Sequence, residues 1–124
     1  MAVNHQAPQK RQVTFGKFAN LDIRVARVIS ARPAEGMRFP SRVFELDLGH
    51  LGTRTSVGQF SLVPQEQLVG RNLVACVNLG TREMGQYLSE VLVLGVRHPE
   101  SPDDQAQATP LHAPDAATPG DPIF

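Results

Sequence analysis

The chain has 124 residues, enough for one domain with a modest core. Its composition, with 41% hydrophobic and 19% charged residues, is typical of a globular protein. It contains no run of about 18 apolar residues, so the sequence predicts no membrane insertion. The formal net charge is zero, but residues 10–97 hold all twelve basic residues, ten of them arginines, against seven acidic ones, a balance of +5. An arginine-rich basic surface suits phosphate recognition, although ordinary solvated charge would give the same count.

The first 30 residues predict a leader, a short helix and a long strand. Residues 1–12 are polar, so we expect a flexible leader, no signal peptide and a cytoplasmic location. Phe15, Phe18 and Leu21 are spaced three apart, which predicts one or two helical turns laid on the core, with Thr14 as N-cap. Residues 22–29 then alternate with a slip between Val25 and Val28, which predicts a bulged strand.

The middle of the chain predicts further strands separated by turns. In residues 42–48, Phe44, Leu46 and Leu48 alternate strictly and should face the core. Pro64 and Gly70 bracket a predicted helical turn. Residues 78–88 contain two glycines and are predicted to be irregular. The five predicted strands are at 22–29, 42–48, 54–57, 72–77 and 91–96.

Five strands with a short helix between the third and fourth are typical of the OB-fold, an all-β Greek-key barrel. We assign residues 13–97 to this barrel and residues 98–124 to a Pro-rich C-terminal extension. The extension ends in apolar Ile123 and Phe124, which a disordered tail would not need. We therefore predict that residues 109–124 fold back as a small hairpin and that the extension packs on the barrel or on a dimer partner.

Several segments resemble a known family. They are Phe18-Ala19-Asn20-Leu21-Asp22-Ile23-Arg24-Val25, Leu68-Val69-Gly70-Arg71, Val77-Asn78-Leu79-Gly80-Thr81-Arg82 and Gly85-Gln86-Tyr87-Leu88-Ser89-Glu90-Val91-Leu92-Val93-Leu94-Gly95. Together they resemble the tRNA-binding OB domain found free-standing and at the C-terminus of bacterial methionyl-tRNA synthetases. The variant Ser89-Glu90-Val91-Leu92 is similar to the CsaA branch, described as protein-secretion chaperones.

This resemblance implies a homodimer whose terminal extensions help to form the interface. It implies binding of tRNA or other structured RNA on the barrel face and, for the CsaA branch, binding of unfolded or presecretory polypeptide. It implies no cofactor. The residues leave both partners open, although the excess of arginine favours RNA.

Seven residues are candidate RNA contacts. Arg82, Ser89 and Asn78 lie in the segment that carries the family signature, while Arg42 and Arg54 flank strands on the face that OB-folds use for ligands. Ser56 and Gln59 lie in or just after the third strand and could contact RNA there. Each also has a structural interpretation, since Ser, Asn and Gln often hydrogen-bond loop backbone. Aromatic content is only 6%, with Tyr87 and Phe39 as the loop aromatics that could stack on a base, which favours recognition of shape and phosphate.

Catalytic arrangements are absent from the sequence. The four histidines are scattered, and there is no HExxH pair, phosphate-binding glycine loop or Gly-x-Ser-x-Gly elbow. Cys76, the single cysteine, lies in an apolar run and is predicted to be a buried thiol. We expect no enzymatic activity, no metal and no cofactor.

Overall fold

The structure of the protein is a computed structural model that describes residues 5–124. Residues 1–4 of the predicted leader lie outside the described residues, and residues 7–14 are exposed without regular structure. None of the helical segments in residues 5–124 has the length and apolar character needed to cross a membrane. The elements are α1 (Phe15–Ala19), β1 (Ile23–Ala34), β2 (Ser41–Asp47), β3 (Thr53–Gly58), β4 (Asn72–Cys76), β5 (Arg82–Met84), β6 (Tyr87–Ser89), β7 (Leu92–Val93), β8 (Gly95–Arg97), β9 (Ala108–Pro110) and β10 (Pro122–Ile123).

The long strand β1 organises the main antiparallel sheet, whose order is β3-β2-β1-β4-β7. Its first half, residues 23–27, pairs with β4, and its second half, residues 27–34, pairs with β2. The register shifts between Val28 and Ser30, so the predicted bulge exists but lies just after the predicted slip. The bulge bends β1, and the sheet curls into a half-barrel. The predicted all-β OB-type fold is confirmed.

The core fills the concave side of this sheet. Phe44, Leu46 and Leu48 are fully buried, as their alternation predicts. The rings of Phe44 and Phe60 pack at a tilt with centroids 5.4 Å apart. Cys76 is buried as a free thiol, which confirms that prediction.

The helical turn predicted between the third and fourth strands is a 3-10 turn, Gln65–Gln67. Pro64 precedes it, and Gly70 ends it with φ 84°. The backbone N–H of Gly70 donates to the carbonyl of Val28 at 2.8 Å, which ties the turn to β1. Leu68 is thereby held fully buried in the core.

The segment predicted to be irregular at 78–88 contains a two-stranded hairpin instead. Strand β5 pairs with β6, with Arg82 opposite Ser89. Gly85 has φ 60°, a left-handed conformation that lets the chain reverse at the tip. The hairpin is too short and too polar for hydrophobic periodicity to show it.

The C-terminal hairpin starts earlier than predicted. Strand β8 pairs with β9, and β10 then pairs with the start of β1, opposite Ile23 and Arg24. The buried amide of Asn72 donates to the carbonyls of Pro114 and Ala117, each at 3.0 Å, so this Pro-rich segment is fixed to the barrel.

The expectation that Phe15 and Phe18 pack into the core is wrong within this chain. Helix α1 buries none of its residues, and Phe15 is 79% exposed. The spacing does place both rings on one face, with centroids 6.1 Å apart. That face borders Ile123 and Phe124 around a shallow groove that no part of the described chain covers.

Candidate nucleic-acid interface

One face of the half-barrel carries an open cavity of about 410 Å³. Strand β3, the β5–β6 hairpin, the loop between β1 and β2, and residues 106–108 surround it. Val57, Phe60 and Val91 contribute to its apolar wall, and Arg38 and Arg82 also line it. Among residues 5–124, no Asp, Glu or Lys lines the cavity, so the side-chain charges that the described lining carries are positive.

Two predicted residues, Ser56 and Ser89, line this cavity and also hold the barrel together. The Ser56 hydroxyl donates to the carbonyl of Val91 at 2.9 Å, and the Val57 N–H donates to Ser89 Oγ at 3.1 Å. Ser89 Oγ in turn donates to the Val91 carbonyl at 3.2 Å. Both serines are nearly fully buried. Their hydroxyls therefore join β3 to the segment that follows β6, and their contact with RNA stays a prediction.

Glu90 supports the same junction. Its Oε1 accepts the Thr55 N–H at 2.9 Å, while its own N–H donates to the Thr55 carbonyl at 2.7 Å. These two hydrogen bonds attach Glu90 to Thr55 on the edge strand β3, as the bonds of a paired strand would. The carboxylate holds the loop that carries the predicted RNA-binding residues.

Asn78 connects the signature segment to the N-terminal corner of the barrel. Its Oδ1 accepts the Asp22 N–H at 2.9 Å, and its Nδ2 donates to the Asn20 carbonyl at 2.8 Å. Asn78 does not line the cavity. Its amide positions the turn between α1 and β1.

Arg42 uses its guanidinium on three backbone carbonyls. Nε donates to Phe60 at 3.2 Å, Nη1 to Ala31 at 3.2 Å and Nη2 to Val63 at 3.0 Å. The side chain is half-buried and does not line the cavity. The planar fork therefore links three separate segments of the barrel.

The other arginines differ in how they are held. Arg54 is half-buried, and its Nη2 donates weakly to the Leu51 carbonyl at 3.4 Å. Arg82 is exposed on β5, and its guanidinium has no hydrogen-bond partner among residues 5–124. Arg38 places its guanidinium over the ring of Phe39 at 5.1 Å and lines the cavity. Arg38 was not among the predicted residues, and the adjacent Arg-Phe pair in a loop was the one signal that could have indicated it.

Gln59 has its amide fixed in one orientation. Its Oε1 accepts the Ala106 N–H at 3.1 Å, and its backbone carbonyl accepts the Ala108 N–H at 2.8 Å. Its Nε2 has no hydrogen-bond partner in the described part of the chain and is not fully buried. Gln59 lines the cavity, and Nε2 is its one side-chain donor without a partner among residues 5–124.

Tyr87 joins the β5–β6 hairpin to the loop between β1 and β2. Its hydroxyl oxygen accepts the Glu35 N–H at 2.9 Å and Gln86 Nε2 at 3.0 Å. The hairpin and this loop therefore form one continuous rim of the cavity.

Away from the cavity, Arg24 pairs with Asp22 at 2.6 Å and donates to the Gly120 carbonyl at 3.0 Å. The hydrogen bond to Asp22 raises the pKa of the Arg24 guanidinium above its ordinary value. Within residues 5–124, no three His, Cys, Asp or Glu side chains come together as metal ligands do.

The structure thus brings four of the seven predicted residues, Ser56, Gln59, Arg82 and Ser89, to one cavity. Arg42, Arg54 and Asn78 lie outside its lining.

The chain is similar to proteins of two kinds. It is 35% identical over 117 residues to the methionine–tRNA ligase of Thiobacillus denitrificans. This alignment covers 93% of this chain but only 17% of the ligase, so the chain spans a small part of that relative's length. It is 30% identical to the chaperone CsaA of Bacillus anthracis, with a TM-score of 0.80 over 92% of this chain and 100% of that structure. The CsaA chaperone protein of Picrophilus torridus is 25% identical, with the same TM-score over 91% of this chain and 100% of that structure.

A family model described as "Putative tRNA binding domain" matches residues 23–122. This range runs from the start of β1 into β10 and includes every residue that lines the cavity. The chain belongs to this tRNA-binding domain family.

Proposed function

We propose that this protein binds structured RNA, with tRNA as the ligand, through the face that carries the cavity, and that it catalyses no reaction. The observation that carries the proposal is the family match across residues 23–122, which includes that whole face. The balance of +5 in residues 10–97 supports it, because phosphate contacts supply much of the affinity for nucleic acids.

Arg82 is the residue we expect to contact phosphate most directly. It is exposed at the cavity, and its guanidinium has no partner in the described structure, so binding RNA would break no internal bond. Arg38 lies on the neighbouring loop of the same rim. Arg42 and Arg54 complete the arginine-lined face that we propose, with Arg42 acting mainly by holding its segments in place.

Filter binding of a tRNA transcript tests this proposal. We expect binding at low salt, and we expect Arg82→Ala to weaken it by about tenfold, the cost of about 1.4 kcal/mol in affinity. Arg71→Ala is the matched control, because Arg71 is also exposed but does not line the cavity. If the wild-type protein fails to retain tRNA even at low salt, the proposal is wrong.

A second candidate function is the binding of unfolded or presecretory polypeptide. The two CsaA structures named as chaperones favour it, as does the apolar wall of the cavity. Suppression of aggregation of a denatured client protein would support this function. Failure to suppress aggregation and to bind any unfolded peptide would exclude it.

We also propose that the protein is a homodimer that buries the apolar face of α1 and the chain end. Phe15 and Phe18 and the terminal Phe124 are exposed there, and such a cluster of large apolar side chains is typical of an interface. We expect light scattering to give the mass of a dimer at micromolar concentration. Phe15→Ser should shift the protein to monomer, whereas Leu62→Ser, at an exposed leucine outside that groove's lining, should leave the mass unchanged.

A further inference from the structure

The cavity combines an apolar wall with positive charge and one fixed donor. Phe60 contributes to this wall, and its ring packs directly against the backbone of two glycines. A Cβ at Gly58 would lie 2.6 Å from the Phe60 ring, and one at Gly95 would lie 2.9 Å from it. The ring is therefore held in place before any ligand enters.

The Gln59 amide supplies the donor. Because Oε1 accepts the Ala106 N–H at 3.1 Å, the amide cannot exchange its oxygen and nitrogen without losing that bond. Its Nε2, which has no partner among residues 5–124, is thus held as a donor on a side chain that lines a mostly apolar site. A fixed donor of this kind selects a ligand with a hydrogen-bond acceptor on an otherwise flat apolar surface.

The charges select an anionic ligand. Arg38 and Arg82 line the cavity, and no acidic side chain of the described chain does. A volume of about 410 Å³ falls in the range of small-molecule sites. A nucleobase with its phosphate matches all three features: an aromatic body, acceptor atoms at its edge and a negative group.

We propose that the cavity takes one unpaired nucleotide of the bound RNA. The base lies among the apolar side chains with an acceptor atom on Gln59 Nε2, and its phosphate lies at Arg82 and Arg38. This inference rests on the proposed RNA binding and adds that the protein binds a base taken out of a helix or from a single-stranded end. An apolar peptide side chain would pack against the apolar wall but would leave Gln59 Nε2 and both arginines without partners.

Titration of ¹⁵N-labelled protein with nucleoside 5′-monophosphates at millimolar concentration tests the proposal directly. We expect shifts of the Gln59 side-chain amide and of the Gly58 and Gly95 backbone amides that depend on the base. Ribose 5-phosphate, which carries the phosphate without a base, should leave these signals within error of their free positions.

A substitution then tests the role of the donor. Gln59→Glu keeps an acceptor for the Ala106 N–H but replaces the free donor with a carboxylate oxygen. Gln65→Glu is the control, because it makes the same change of charge at an exposed residue outside the cavity. We expect Gln59→Glu to weaken nucleotide binding by about tenfold or more and Gln65→Glu to change it by less than twofold. The wild-type titration decides the question even if Gln59→Glu does not fold.

Three results would overturn the proposal. If ribose 5-phosphate produces the same shifts, the site holds an anion only. If an unfolded peptide shifts these amides and nucleotides do not, the site takes polypeptide. If the monophosphates leave these amides unshifted while tRNA still binds, the proposed RNA binding stands and the nucleotide pocket is wrong.

Discussion

The substitution Arg42→Ala tests whether Arg42 stabilises the fold or contacts RNA. Its guanidinium donates to the carbonyls of Ala31, Phe60 and Val63 at 3.0–3.2 Å. Replacing it with alanine removes three charge-assisted hydrogen bonds and leaves three carbonyls to find water. We therefore expect Arg42→Ala to lower the free energy of unfolding substantially, whatever its effect on RNA binding.

The size of this loss follows from the contacts. A hydrogen bond to a charged group contributes about 1.5–3 kcal/mol, and less where water can replace it. Since the side chain is half-buried, we expect a total loss of about 2–4 kcal/mol. At a urea dependence of about 2 kcal/mol/M, the unfolding midpoint should fall by about 1–2 M.

Urea unfolding followed by circular dichroism, at one fixed protein concentration, measures this shift. Arg82→Ala is the comparison, because Arg82 is exposed and unpartnered in the described structure, and its stability should change by less than about 0.5 kcal/mol. Arg42→Lys should behave like Arg42→Ala, since one ammonium cannot reach three carbonyls in different segments. If Arg42→Ala were as stable as the wild type yet lost tRNA binding, the structural role assigned to Arg42 would be refuted.

Two further substitutions test the structure elsewhere. Ser89→Ala leaves the buried Val57 N–H without its acceptor, so differential scanning calorimetry should show a loss of about 1–3 kcal/mol. Ser30→Ala is the control, because Ser30 Oγ has no hydrogen-bond partner among residues 5–124. An unchanged transition for Ser89→Ala would contradict the role of Ser89 in joining β3 to β6. Gly120→Ala should be more damaging, because Gly120 has φ 91° and a Cβ there would collide with the Leu48 carbonyl, whereas Gly36→Ala meets open space and isolates the cost of positive φ. Equal melting temperatures for these two variants would show that the close approach at Gly120 does not matter.

The sequence predicted the parts of the fold that depend on local pattern. Strict alternation identified Phe44, Leu46 and Leu48 as core residues, and all three are fully buried. Pro64 and Gly70 identified the turn before β4, because each restricts the backbone in its own way. These signals come from residues close together in the chain.

The features that the sequence missed depend on residues far apart. The β5–β6 hairpin is fixed by the Tyr87 hydroxyl, which accepts the N–H of Glu35, 52 residues away. The N-terminal helix was predicted, but its spacing could not tell whether Phe15 and Phe18 face a core or the outside of the chain. Hydrophobic periodicity reports a shared face and carries no information about what covers it.

For the candidate site, the sequence predicted several of the residues but not the contacts that hold them. The family signature led to Ser89, Asn78 and Arg82, but their hydrogen bonds depend on partners elsewhere in the fold. Ser89, for example, accepts the N–H of Val57, 32 residues away. Arg42 was predicted from its place at a strand end, and only the structure reveals the three carbonyls that hold it.

The salt dependence of tRNA binding tests the central claim most directly. For a protein that binds phosphates through an arginine-rich face, log Kd should rise linearly with log salt concentration, and Arg82→Ala should reduce that slope by about one while Arg71→Ala leaves it unchanged. Binding that is independent of salt, or a slope that Arg82→Ala does not alter, would contradict RNA recognition through this face.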